Sequence, residues 1–295
     1  MKKTITLLTL LWVFAFNSQA AAYDEANWYL SVDVAQIRDK VLPLLPQEKH
    51  HKNDFSLREN MPQEVQKITL YGHTEKENDV SVVLAGQFAN FSLNQYITDT
   101  LYQINGESPI ALYDSTAHGG TVINQFKVDE KKANDFAFYS AKLNDQMMVI
   151  SFSQTEVKNW IDGQYSTADL YQSDLISLLV NVESAMAKMG ADLSAHKQPF
   201  QSEMFTKVTQ VSAAAYESGA DLSLDLVLST SDDATATQLV QVARGLVAMN
   251  ALSGATDEKP VLTTLLNGLN ISQQGTDLLV TTSVPFSLLP QINVD

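Results

Sequence analysis

The chain has 295 residues, no cysteine, and 19 basic against 34 acidic residues, for a net charge of −15. The missing cysteine excludes disulfide scaffolds, thiol catalysis and Cys-based zinc sites. The acidic field disfavours nucleic acid and anionic lipid surfaces as partners, because no basic cluster reverses it locally.

The N-terminus carries Lys2 and Lys3, an apolar run over 5–16, and the small-x-small triplet Ser18-Gln19-Ala20. This pattern predicts an export signal over 1–20, cleaved after Ala20, and an address in the periplasm or outside the cell. The apolar run is shorter than the roughly 20 residues that a spanning helix needs. Beyond it the sequence carries 17 basic and 34 acidic residues, net −17.

Period-two alternation predicts strands at 28–34, 67–73 and 80–88. A segment over 35–45 has helical spacing at Ile37, Val41 and Leu44, interrupted by Pro43 and Pro46. The polar stretch 47–64, with His50 and His51, reads as a loop. A helix is expected to start at Ser92, whose side chain fits an N-cap with Gln95 three residues on. Its inward stripe is Leu93, Ile97, Leu101 and Ile104.

Further strands are expected at 110–115, 121–128, 136–143 and 147–152, with turns at Gly119-Gly120 and Asn144-Asp145. Ser153 and Glu156 read as a second capping box, opening a helix with Val157, Trp160 and Ile161 inward. Gly163 closes it. The polar stretch 164–176 reads as a connection.

Strands are then expected at 177–182, 208–217 and 221–229. A helix follows Asp232 and Asp233, whose carboxylates suit a helix N-terminus. Its inward stripe is expected to be Leu239, Val242, Leu246 and Met249. A short helix over 261–269, strands at 271–274 and 278–283, and a helical turn from Pro285 complete the chain.

The second half repeats the plan of the first. Leu30, Val32 and Val34 match Leu178, Val180 and Val182 at an offset of 148. Val80, Val82 and Leu84 match Leu222, Leu224 and Leu226 at 142, and Met147-Met148-Val149 matches Leu278-Leu279-Val280 at 131. The expected fold is α+β, with two related lobes, each a mainly antiparallel sheet with helices packed on one face. The expected division is a first lobe over 21–163, a connection over 164–176, and a shorter second lobe over 177–295. The second lobe lacks the hairpin around Gly119.

The other face of the strand at 80–88 carries Ser81, Val83, Ala85 and Gln87. It is less polar than its counterpart with Ser223, Asp225 and Ser229. That face is therefore expected to pack on the other half or on a partner.

Motifs for chemistry are lacking. None of the histidines at 50, 51, 73, 118 and 196 has metal-site spacing. His73 near Glu75, Glu77 and Asp79 reads as a charged hairpin tip rather than a cation site. His118-Gly119-Gly120 reads as a β-turn, since no nucleophile elbow accompanies it. There is no Walker loop, dinucleotide fingerprint or EF-hand spacing, so no catalytic, cofactor or metal residue is nominated. The expectation is a non-enzymatic exported protein that binds a protein partner or a small apolar ligand between two lobes. Two alternatives stand beside it: a hydrolase of an envelope polymer using unidentified carboxylates, and a structural subunit of an envelope complex.

Overall fold

A computed structural model of the chain describes residues 26–45, 61–73, 80–105, 110–128, 137–165, 174–182, 205–252 and 260–291. The expected export signal, His50, His51, His196 and the acidic loop after His73 lie outside them.

The strands are β1 (Trp28–Asp33), β2 (Val65–Gly72), β3 (Ser81–Gly86), β4 (Ile110–His118), β5 (Thr121–Val128), β6 (Ala137–Asn144) and β7 (Met147–Ser151) in the first half. The second half has β8 (Ile176–Asn181), β9 (Val208–Ser218), β10 (Asp221–Thr230), β11 (Asn270–Gln274) and β12 (Asp277–Pro285). The longer helices are α1 (Leu93–Asn105), α2 (Gln154–Ile161), α3 (Asp233–Leu252) and α4 (Pro260–Asn267). Val34 to Leu44 forms a helical strap, in which an α-turn, a π-turn over Ile37–Val41 and a 3-10 turn follow one another. Pro43 falls in the last of these turns, where its missing N–H ends the helical run.

All twelve strands join in one antiparallel sheet, in the order β11-β12-β10-β9-β8-β1-β2-β3-β7-β6-β5-β4. The expected two lobes, each with its own sheet, are replaced by one continuous sheet. The halves meet edge to edge through β1 and β8. Outward from that pair, each side runs first strand, second, third, last, next to last. The β4–β5 hairpin is an addition at the far edge of the first half. Its turn uses Gly119 and Gly120 at φ 54° and 80°, in the left-handed region that L side chains resist.

The register refines the expected matches. Leu30 lies directly opposite Leu178. From this pair, one row runs Leu30, Leu70, Val82, Ile150, and the other runs Leu178, Ala213, Leu226, Val280. Val82 therefore stands where Leu226 stands, two residues from the expected match. Ile150 stands where Val280 stands, one residue from it. The two-residue slip keeps the same face inward, whereas the one-residue slip exchanges faces. The second slip is invisible in sequence because Met147, Met148 and Val149 are all buried, so neither face is marked by polarity.

The front face carries the strap, α1, α3 and α4. The back face carries α2. In the first half the front core joins Leu84, Phe88 and Met148 to Val34 and Leu93. The back core joins Tyr71, Val83, Ala141 and Val149 to Val157 and Trp160 of α2. In the second half the front core joins Leu239 and Val240 of α3 to Val208 and Leu278. Gly86 lets β3 approach the bulged start of β2, where a Cβ would sit 1.9 Å from the Glu64 carbonyl oxygen.

Helix starts follow their caps. The Ser92 hydroxyl accepts from the Gln95 N–H at 3.3 Å, and Asp232 accepts from the Thr235 N–H at 2.8 Å. Hydrogen bonds from the Thr235 backbone and hydroxyl hold the Asp232 carboxyl down to about 2. On α3 the packed residues are Ala236, Leu239, Val240 and Ala243. Leu239 is inward as expected, but Val242, Leu246 and Met249 are exposed. Both rows are apolar at helical spacing, so periodicity alone does not choose between them. The small Ala236 and Ala243 allow the packed row to lie close to the sheet.

Candidate functional site

Two features stand out: a hydrogen-bonded cluster behind the first half, and an apolar trough in front of the junction between the halves.

The cluster lies under α2. The Tyr71 hydroxyl donates to Glu156 and accepts from the Trp160 indole N–H at 2.7 Å. His73 Nε2 lies 3.5 Å from the Glu156 carboxylate. Ser81 and Ser151 pair at 2.8 Å beside it, and Ser31 and Thr69 at 3.0 Å. Burial alone would raise the Glu156 carboxyl, but hydrogen bonds from His73, Tyr71 and Tyr165 outweigh it and hold the group below its ordinary range. Burial, reinforced by the Glu156 charge, pushes the Tyr71 hydroxyl far up. Tyr71, Glu156 and Trp160 are buried, and the hydrogen bonds among them tie α2 to β2.

Glu156 was expected only as a capping partner for Ser153. Its backbone N–H does donate to Ser153 at 3.3 Å, but its side chain turns to Tyr71 and does not reach back. The face expected to pack on the other half or on a partner lies against this helix. Ser81, Val83 and Ala85 are buried, Val83 at 1% exposure, because Val157 and Trp160 of the chain's own α2 fill that side. Gln87 lies just past the strand and is exposed.

The trough is built by register. One row crosses six strands as Leu70, Leu30, Leu178, Ala213, Leu226 and Val280. The row beside it runs Ile68, Val32, Ile176, Ala215, Leu224 and Thr282. At β9 both rows drop to alanine between larger neighbours. The floor sinks there, leaving an open hollow of about 340 Å³ lined by Leu30, Ile176, Leu178, Leu224 and Leu226. A second hollow of about 190 Å³ lies between the strap and Val32, Ile68 and Leu70. Because Leu30 and Leu70 are directly opposite on adjacent strands, the two hollows adjoin. Ile176 in the floor is 39% exposed, although it lies in the middle of the sheet.

The strap and the C-terminal turn Phe286–Gln291 meet over this side of the sheet. Asp33 starts the strap by accepting from the Gln36 N–H at 2.8 Å, and Lys40 pairs with Glu217 at the end of β9. The π-turn, a form that recurs at functional sites, carries Arg38 to the smaller hollow. Its guanidinium lies 3.4 Å from the Pro62 carbonyl and 3.8 Å from Asp39, both long contacts.

Behind the trough, on the back face, Tyr216 donates to Asp225 at 3.1 Å. Burial raises Asp225, and the Tyr216 hydrogen bond only partly offsets it. Burial also raises Asp174, with Lys67 lowering and Asp225 raising it further. His118 pairs with Asp162 at 2.9 Å at the β4–β5 turn. Among the described residues, no group of three or more His, Asp or Glu is placed to hold a metal ion. No helix among them is long and apolar enough to cross a membrane.

The trough residues were missed in the sequence. The signal was there in Ala213-Ala214-Ala215, since alanine is depleted in strands and three in succession leave a hole in a sheet surface.

No family model and no curated protein matches the chain. The chain is similar in fold to TP0453. Crystal form III of that protein aligns over 89% of this chain and 91% of its own, with 9% identity and a TM-score of 0.45. Crystal form IV aligns over 90% and 91%, with 8% identity and a TM-score of 0.46.

Proposed function

We propose that the protein is an exported, non-enzymatic binding protein that holds a small apolar ligand in the front trough, where the two halves join. The observation that carries this reading is the sunken apolar floor at Ala213 and Ala215. Apolar side chains left half-exposed in mid-sheet lose the stabilisation that burial brings, roughly 25 cal/mol per Å². A ligand restores it. The hollow of about 340 Å³ falls at the small end of ligand pockets, which run from roughly 300 to 1,000 Å³.

The same reading takes the halves as a duplicated unit. In support, the strand order is mirrored about β1 and β8, and Leu30 pairs with the residue it matches in sequence, Leu178. It also takes 1–20 as an export signal, on the pattern of Lys2, Lys3 and the apolar run.

Titration with the uncharged fluorophore N-phenyl-1-naphthylamine tests the site. Saturable binding by the protein is expected, and its loss in Ala213→Trp, whose indole fills the hollow. An Ala213→Trp protein that folds and binds the fluorophore unchanged would sink the reading.

A further inference from the structure

We infer that Arg38 anchors the head group of the trough's ligand, and that this ligand is a single-chain fatty acid with its carboxylate at the strap and its tail across the sheet. This rests on the trough being the ligand site.

Three observations carry it. The first is charge. Arg38 is the cation among the described residues lining the two hollows, in a chain of net charge −15. A purely apolar ligand gives no use for a guanidinium there. The second is its incomplete pairing. The side chain is only 19% exposed, yet its contacts among the described residues are the long ones to Pro62 and Asp39. A guanidinium has five N–H donors in a planar fork, which suits bidentate pairing with a carboxylate. Desolvating such a group without a strong acceptor is unfavourable, and a ligand carboxylate would supply that acceptor. The third is shape. The trough runs from the Arg38 end over β2, β1, β8, β9, β10 and β12, five strand steps or about 24 Å. At roughly 1.2 Å per bond of an extended chain, that accommodates a long acyl tail.

The head group is assigned as a monoanion because the other strap cation near this site, Lys40, is already paired with Glu217. Of the nearby acidic side chains, Asp33 is engaged in capping the strap, Asp39 is 74% exposed, and Asp225 is held by Tyr216 behind the sheet.

The test compares cis-parinaric acid with its methyl ester, which keeps the tail and removes the charge. The protein should bind the acid more tightly than the ester. Arg38→Gln should weaken the acid by roughly tenfold or more, the size of a lost hydrogen bond to a charged group, and leave the ester unchanged. Arg38→Lys should restore part of the loss, because it returns charge without the fork. Equal binding of acid and ester, or equal weakening of both by Arg38→Gln, would overturn the inference. If N-phenyl-1-naphthylamine still binds saturably in that case, the apolar site stands and only the head-group assignment falls. If the fluorophore also fails to bind, both fall together.

Discussion

Strands β3 and β10 hold the same place in their halves, third from the junction, yet their surroundings differ. In β3, Ser81, Val83, Leu84 and Ala85 are all buried, because α2 closes the back face and α1 with the strap closes the front. In β10 every residue before Thr230 is only half-buried. The helices of that half, α3 and α4, both lie in front, and the alanines of β9 hold the front surface down beside β10. The third strand is thus closed on both faces in the first half and left partly open in the second. A sheet that runs through both sets Leu30, Leu70 and Arg38 of the first half beside Leu178 and Leu226 of the second along the trough.

The sharpest way to break this comparison is to place one charge at matched positions. Val83→Asp puts an unpaired carboxylate under α2 and should cost at least ~4 kcal/mol, enough to abolish cooperative folding. Val227 occupies the matching position in β10 and is half-exposed. There the same change should cost about 1 kcal/mol or less, the usual range for a surface substitution being within about 0.5. Urea denaturation of both variants gives the contrast directly, and equal losses would refute it.

Next in size is the pair on α3. Leu239→Ala should lose ~2–5 kcal/mol as a core truncation, whereas Leu246→Ala, at 59% exposure, should stay within about 0.5 kcal/mol. The reverse result would restore the stripe expected from periodicity. Tyr71→Phe should cost ~1–3 kcal/mol, since it strands the Trp160 N–H and removes a donor to Glu156.

The two halves should also answer acid with opposite signs. Glu156 is held below its ordinary range, so its contribution is complete above the usual carboxyl value and disappears as pH falls through the folded one. Glu156→Gln should therefore flatten acid destabilisation at low pH. Asp225 and Asp174 are held above theirs. Their charged forms burden the fold at neutral pH, and that burden lifts as pH falls through the raised values toward the ordinary aspartate range. Asp225→Asn should raise the melting temperature at pH 7 and leave it unchanged near pH 3. A loss of stability at pH 7 would count against this assignment. The smallest effect belongs to Lys40 and Glu217, an exposed pair whose double-mutant cycle should give a coupling of ~0.2–1 kcal/mol.

These contrasts mark where the sequence is informative. Strand positions are legible because one apolar and one polar residue alternate, and helix starts because Ser92, Ser153 and Asp232 are N-caps. Which helix face turns inward is not legible on α3, where Val240 and Val242 compete on equal terms. The one-residue slip at Met147–Val149 is hidden for the same reason. The union of the halves through β1 and β8 is also hidden, because backbone pairing at a strand edge leaves no mark on side-chain pattern. Glu156 shows a further limit: one residue can supply a backbone N–H to a cap and a carboxylate to a core, and pattern reading finds only the first. The trough was legible in principle from Ala213 to Ala215. Nothing in the sequence, however, says that leucines on two strands to either side stand level with them.

The edge-to-edge joint at Leu30 and Leu178 has a consequence for self-association. Two separate sheets would expose four unpaired strand edges, each a template for another chain. Joined, the sheet formed by the described residues exposes two. One is β11, short and polar with Asn270, Ser272, Gln273 and Gln274. The other is β4, whose pairing with β5 is broken by an irregularity between Leu112 and Asp114. The joint thus hides the two edges richest in apolar side chains, β1 and β8, inside the molecule, and leaves β11 and β4 as the outer strands.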